Sequence, residues 1–163
     1  MVDAGVPVNT PEASYPRETP LYAAARVGDL PMVQYLVETA KADIEAGDDS
    51  LPRYTPLRIA LMHDYEAVYL YLLAQGAVLS DELTIGDVVR HDSLGAAKFL
   101  YARGVAVRTE DLRFALLCSD GNLRCIQWLV DRGAAITDEM VFQAAEFGKY
   151  DYLKFLLANG GNR

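Results

Sequence analysis

Gly28-Asp29-Leu30-Pro31-Met32-Val33-Gln34-Tyr35-Leu36 is the stretch whose frame returns along the whole chain. An aromatic residue followed at once by leucine occurs as Tyr35-Leu36, Tyr71-Leu72, Phe99-Leu100, Trp128-Leu129 and Phe155-Leu156. Seven residues before each aromatic stands Gly28, Asp64, Asp92, Gly121 or Gly148. Five residues after it, in the last four copies, stands Gly76, Gly104, Gly133 or Gly160. The copies are 36, 28, 29 and 27 residues apart, and such self-similarity marks a repeat architecture.

Each unit reads as two short helices. The first holds a small or apolar pair: Ala24-Ala25, Ala60-Leu61, Val88-Val89, Leu117-Cys118 and Ala144-Ala145. The Gly or Asp landmark then breaks the chain. The second helix carries an apolar stripe at helical spacing, as in Met32, Val33, Leu36 and Val37, or Ile126, Leu129 and Val130. The late glycine suits the left-handed turn that closes a helix. A helix pair this short cannot bury its stripe alone, so the units are expected to stack.

On these residues the chain resembles the ankyrin-repeat family. Thr19-Pro20-Leu21-Tyr22-Ala23-Ala24 and Thr55-Pro56-Leu57-Arg58-Ile59-Ala60 look like that family's Thr-Pro-Leu-His-x-Ala start. Ala24-Ala25-Arg26-Val27-Gly28-Asp29 and Gln75-Gly76-Ala77 match its later landmarks, and Lys41-Ala42-Asp43-Ile44 looks like its end-of-repeat turn with one residue inserted. Gly5-Val6-Pro7-Val8-Asn9 resembles the tail of a preceding repeat. The likeness is divergent: units three to five lack the Thr-Pro-Leu start and fall short of the usual ~33 residues. Their connecting fingers are expected to be stubby, and unit three, with Val88-Val89 and Asp92, to be the least regular and a local weak point.

The expected fold is therefore all-α, a helical repeat solenoid of about five helix pairs. Units are placed near 19–48, 49–80, 81–108, 109–136 and 137–163, after an extension or partial repeat over 1–18. That leading segment contains Pro7, Pro11 and Pro16, which disfavour helix.

Composition narrows the function classes. Lys and Arg total 15 against 23 Asp and Glu, a net charge of −8, and an acidic surface repels phosphate backbones. Nucleic acid is not expected as the ligand, and a partner with a basic surface is compatible. No apolar run approaches the ~20 residues that cross a bilayer, and Met1-Val2-Asp3-Ala4-Gly5 lacks the basic start and apolar core of a secretory signal. The expectation is a cytoplasmic or nuclear protein without membrane contact, monomeric on its own. Cys118 and Cys125 lack a CxxC companion and fall at normally buried positions, so reduced core residues are expected. His63 and His91 lack a third ligand for zinc. No cofactor and no metal are expected, nor catalysis: GxSxG, HExxH and GxxxxGK[ST] are all absent. Acidic pairs such as Asp81-Glu82 and Glu110-Asp111 open successive units, where carboxylates suit helix N-termini.

The aromatic ladder Tyr35, Tyr71, Phe99, Trp128 and Phe155 could be a stacking platform for bases or sugars. The flanking leucines favour a buried packing column instead.

Two surface features remain as candidate partner-binding sites. The resemblance implies a concave face built from the two positions before each break: Arg26-Val27, Met62-His63, Arg90-His91, Ser119-Asp120 and Glu146-Phe147. The longest linker, Ala46 to Tyr54, is expected to project as a first finger offering Leu51, Arg53 and Tyr54. The resulting expectation is a protein–protein interaction module using this face and finger. Its alternative is a structural subunit held permanently in a larger assembly, with Tyr65, Tyr69, Tyr101 and Tyr150 near the second helices as its contact.

Overall fold

The computed structural model describes residues 8–9, 18–48, 54–118 and 123–160, without the side chains of 117 and 118. Among these residues the chain forms ten helices and no strand. They are α1 Pro20–Val27, α2 Leu30–Glu38, α3 Pro56–Met62, α4 Glu66–Ala74, α5 Ile85–Val89, α6 Leu94–Ala102, α7 Thr109–Cys118, α8 Leu123–Asp131, α9 Asp138–Glu146 and α10 Tyr150–Asn159. The fold class is that of an all-α helical repeat solenoid. Two compact units are present, Met1–Asp81 and Glu82–Arg163. In the first, α1 and α3 lie side by side with α2 and α4 behind them. In the second, α5, α7 and α9 pack in sequence, each against its own second helix.

Local chemistry sets the helix ends. Thr19 and Thr55 hold extended backbone, and their hydroxyls accept from Tyr22 N and Arg58 N, while proline opens each helix where its missing N–H costs nothing. Thr84 and Thr137 cap α5 and α9 in the same way without the proline, and Thr84 forms a capping box with Asp87. The break between helices needs a left-handed residue. Gly28 and Gly148 supply it at φ 77° and 65°, and Asp64 and Asp92 take it at 58° and 61°. The late glycines lie at φ between 92° and 130°, and Lys41 takes that position in the first pair at 56°. Lys41 stands six residues after its aromatic instead of five, as one inserted residue in that turn requires.

The connections shorten as expected. Seventeen residues separate α2 from α3, ten separate α4 from α5, and six separate both α6 from α7 and α8 from α9. The third pair is irregular in one respect, since α5 spans 5 residues. Its Val88 and Val89 are nonetheless fully buried.

Leu72, Leu100, Leu129 and Leu156 are each 0% exposed and Leu36 is 7% exposed. The aromatics before them do not form a buried column. Tyr35 is 58% exposed, and Tyr71, Phe99 and Phe155 are half-buried. A helix advances about 100° per residue, so the stripe that buries the leucine also buries residues three and four before it. Those are Val68 and Tyr69, Ala96 and Ala97, or Cys125 and Ile126. The aromatic lies one step off that stripe. Trp128 is covered because Tyr101 meets its ring edge-on at 5.7 Å and Arg132 lies 5.9 Å from its centroid.

Side chains also anchor the pairs. Thr19 Oγ1 donates to Ala46 O at 2.6 Å within the first repeat, while Tyr71 Oη donates to Glu38 at 2.9 Å and Val78 N donates to Glu45 at 2.8 Å, joining the second repeat to the first. Asp111 accepts from Arg108 N at 2.7 Å, capping its own helix, and from Gly86 N at 2.8 Å in the preceding pair. Burial raises its carboxyl above the usual range against the opposing pull of those two amides. Cys125 is buried and forms no disulfide, its thiol donating to Asp92 Oδ1 at 3.4 Å, whereas the Cys118 side chain lies outside the described residues.

This packing carries three expected outcomes. Leu129→Ala should lower unfolding free energy by about 2–5 kcal/mol, whereas Tyr35→Ala should stay within about 0.5 kcal/mol, both read by urea titration. Asp111→Ala leaves two amides without their acceptor and should cost about 1–3 kcal/mol in the same assay. Burial first, and then a hydrogen bond to Glu38, pushes Tyr71 up to about 12; burial followed by the charges of Glu66 and Asp64 does the same to Tyr69. An unfolded tyrosine ionises near 10.0. Above that pH the unfolded chain has released protons that the folded chain still holds, so Tm should fall as pH rises from about 10 to about 12. Tyr71→Phe should flatten that slope.

Candidate partner-binding surface

The first helices end where the sequence places its candidate contacts. In the first unit α1 packs against α3, and Gly28, which follows Arg26-Val27, lies against Tyr65, two residues after His63. Arg26 pairs with Glu18 at 3.2 Å with its side chain 44% exposed, and Val27 is 60% exposed. His63 is exposed and stacks on Tyr65, with ring centroids 5.8 Å apart. The Tyr65 ring in turn fills the space a side chain at position 28 would need: a Cβ on Gly28 would lie 2.7 Å from its Cδ1.

Met62 departs from the expectation of an exposed anchor. It is 7% exposed. The helix ends at Met62, with His63 as its C-cap, so its side chain still follows the core-facing stripe of Ile59.

In the second unit Arg90 is half-buried, its guanidinium 4.8 Å above the Phe114 ring of the next pair, while His91 is exposed. Arg90 thus serves packing as well as surface. Glu146 is exposed and Phe147 is 59% exposed at the end of α9. Ser119 and Asp120 lie outside the described residues.

Leu51 and Arg53 of the first finger also lie outside them. Tyr54 is half-buried: Arg58 sits 4.8 Å over its ring, and its carbonyl accepts from Asp48 N at 3.2 Å. The finger is therefore fixed at this base. A Cβ on Gly47 would overlap the Tyr54 carbonyl oxygen, so only glycine fits that crossing.

The tyrosines proposed for a second-helix contact divide. Tyr69 is 2% exposed and belongs to the core, because it sits on the leucine stripe, and Tyr65 is half-buried beneath His63. Tyr101 and Tyr150 are 41% and 72% exposed. Sequence reasoning passes over Phe142, 67% exposed on α9, and Leu157, 50% exposed on α10. For Phe142 the repeat position is the available signal, since the same frame in earlier pairs holds the buried Tyr22, Gly86 and Ala115; for Leu157 the frame gives none, because Val37, Leu73 and Val130 are half-buried and Tyr101 is exposed.

Among the described residues no three His, Cys, Asp or Glu side chains gather as metal ligands, and no helix is long and apolar enough to cross a membrane.

The family model for ankyrin repeats (3 copies) matches residues 2–82. No curated protein matches the sequence. Among solved structures, the chain is similar to the human ASB11 ankyrin repeat domain, with a TM-score of 0.70 and 23% identity. The match covers 97% of this chain and 75% of that one. The helix pairs, their left-handed breaks, the threonine-proline starts and the matched first half agree: the chain belongs to the ankyrin-repeat family.

Proposed function

We propose that the protein is a protein–protein interaction module that grips its partner through the ends of its first helices, the concave face in this family, together with the first finger. One observation carries this reading. The position just before the break is exposed in every described pair, and it holds Val27, His63, His91 and Phe147. Solvated helix ends usually carry lysine, glutamate or aspartate, whereas apolar and aromatic side chains held on rigid helix ends suit interface anchors. Arg26, Arg90 and Glu146 stand beside them, and Arg53, Leu51 and Tyr54 belong to the finger. Ser119 and Asp120 hold the equivalent positions of the fourth pair. Met62 serves from beneath, supporting His63.

Rigidity favours such a role, because a surface already ordered loses less entropy on association. The overall acidity fits a partner with a basic contact surface. Recognition rather than turnover is the activity assigned, in a monomer of the cytoplasm or nucleus, with neither nucleic acid nor a cofactor as ligand. The alternative of a permanently assembled subunit draws on the exposed Tyr101 and Tyr150 of the second helices.

Reversing charge at Arg26 and Arg90 together should weaken partner binding at least about tenfold in a titration with the captured partner. Tm should move by only a few degrees, since Arg26 is exposed and Arg90 half-buried. Equal loss of binding and stability would reject this surface. A partner that never dissociates on gel filtration of native extract would favour the subunit reading.

A further inference from the structure

The second helices differ in charge between the two units. In the first, α2 and α4 hold Glu38 and Glu66 as their only charged side chains. In the second, α6 carries Lys98 and α8 carries Arg124, both exposed, against the single carboxylate of Asp131. These basic side chains stand in a chain whose net charge is −8.

Lys98 and Arg124 flank a groove. Helix α5 packs along α7, whereas α6 and α8 part and leave about 400 Å³ between them. The half-buried Leu94 and Leu123 and the buried Trp128 form an apolar floor, with Lys98 and Arg124 at its rim. Asp131, also at the rim, already accepts from Gln127 Nε2 at 2.7 Å. The Tyr101 ring, edge-on to Trp128 at 5.7 Å, bridges the two helices. The pair of α9 and α10 stacks beyond them and leaves the groove open, so repeats added in series leave it open too.

Charge and shape select the occupant. A floor of leucines and an indole gains by giving up its water to an apolar group, and cations at the rim favour carboxylates beside that group. Leu123 to Asp131 runs about 12 Å along the helix axis, so two to three turns of an amphipathic helix cover the groove. Nucleic acid would bring many phosphates to two rim cations on a chain of net charge −8, which repels them. A second copy brings that same net charge, and like-charged molecules repel as they approach.

We propose that the groove between α6 and α8 binds an acidic amphipathic helix of a partner protein. That helix lays leucine-like side chains on Leu94, Leu123 and Trp128, and sets glutamate or aspartate against Lys98 and Arg124. This surface is separate from the first-helix ends, and it stands or falls independently of them.

Trp128 is the single tryptophan of the chain, so its fluorescence reports on the groove directly. The test uses the full chain and three synthetic helical peptides of about four turns. The first carries leucine on one face with glutamate beside it; the second has lysine in place of glutamate, and the third serine in place of leucine. The first should shift Trp128 emission and, in amide-correlation NMR, the resonances of α6 and α8. The other two should bind at least about tenfold more weakly. Lys98→Glu and Gln127→Glu should each weaken the first peptide about fivefold or more, with Tm little changed because both sites are exposed. The Arg26 and Arg90 double reversal should leave this binding intact. Equal affinity for the three peptides, an unresponsive Trp128, shifts that map to the first-helix ends, or undiminished binding by both variants would overturn the proposal. So would an oligonucleotide that shifts Trp128 emission as the first peptide does, or sedimentation showing self-association that Lys98→Glu abolishes.

Discussion

A helix of five to ten residues with one apolar stripe cannot keep that stripe dry by itself, and the whole structure answers this constraint. Isolated helices of such length are marginal in water. Here the second helix of each pair is held by the leucine that follows the landmark aromatic, and by residues one helical turn earlier. Leu72, Leu100, Leu129 and Leu156 are inaccessible because neighbouring helices cover them. Stability in such an array is a sum of unit and nearest-neighbour terms, so no central core exists to be lost at one stroke.

Hydrogen bonds fix how neighbouring pairs register, which burial alone does not. Asp111 joins its own helix start to the Gly86 amide of the preceding pair, and within the first repeat Thr19 joins its helix start to the Ala46 carbonyl. Both are buried polar groups whose partners lie 25 to 27 residues away. A slip of one residue would leave those groups unpaired in a dry environment, which is costly. The rows of exposed first-helix ends inherit their alignment within each unit from these bonds.

The repeat frame is legible in the sequence because its landmarks carry backbone and burial demands that few residues meet. Gly28 and Gly148 mark left-handed turns, and the recurring leucine marks the stripe. The aromatic beside that leucine reads as core but is not, because adjacency is not a shared face: neighbours in a helix point about 100° apart. Met62 departs from its expected exposure for a related reason. Family position fixes a backbone site, while helix phase at the last turn decides whether the side chain is exposed. The caps Thr84 and Thr137 escape a reading by motif because no proline follows them. They also stand fifteen and eighteen residues before their aromatics, against sixteen for Thr19 and Thr55, since the first helices differ in length. Phe142 stands at a readable repeat position, but its exposure depends on whether a further pair stacks against its own.

The inequality of the connections carries a last consequence. Closing a flexible loop costs entropy that grows only with the logarithm of its length, so seventeen residues cost about 1 kcal/mol more than six. The helices on either side close their contacts with each other regardless. The segment between α2 and α3 is therefore where a change in length costs this chain least in loop closure, so long as Gly47 and the Ala46 carbonyl that anchor its base keep their places.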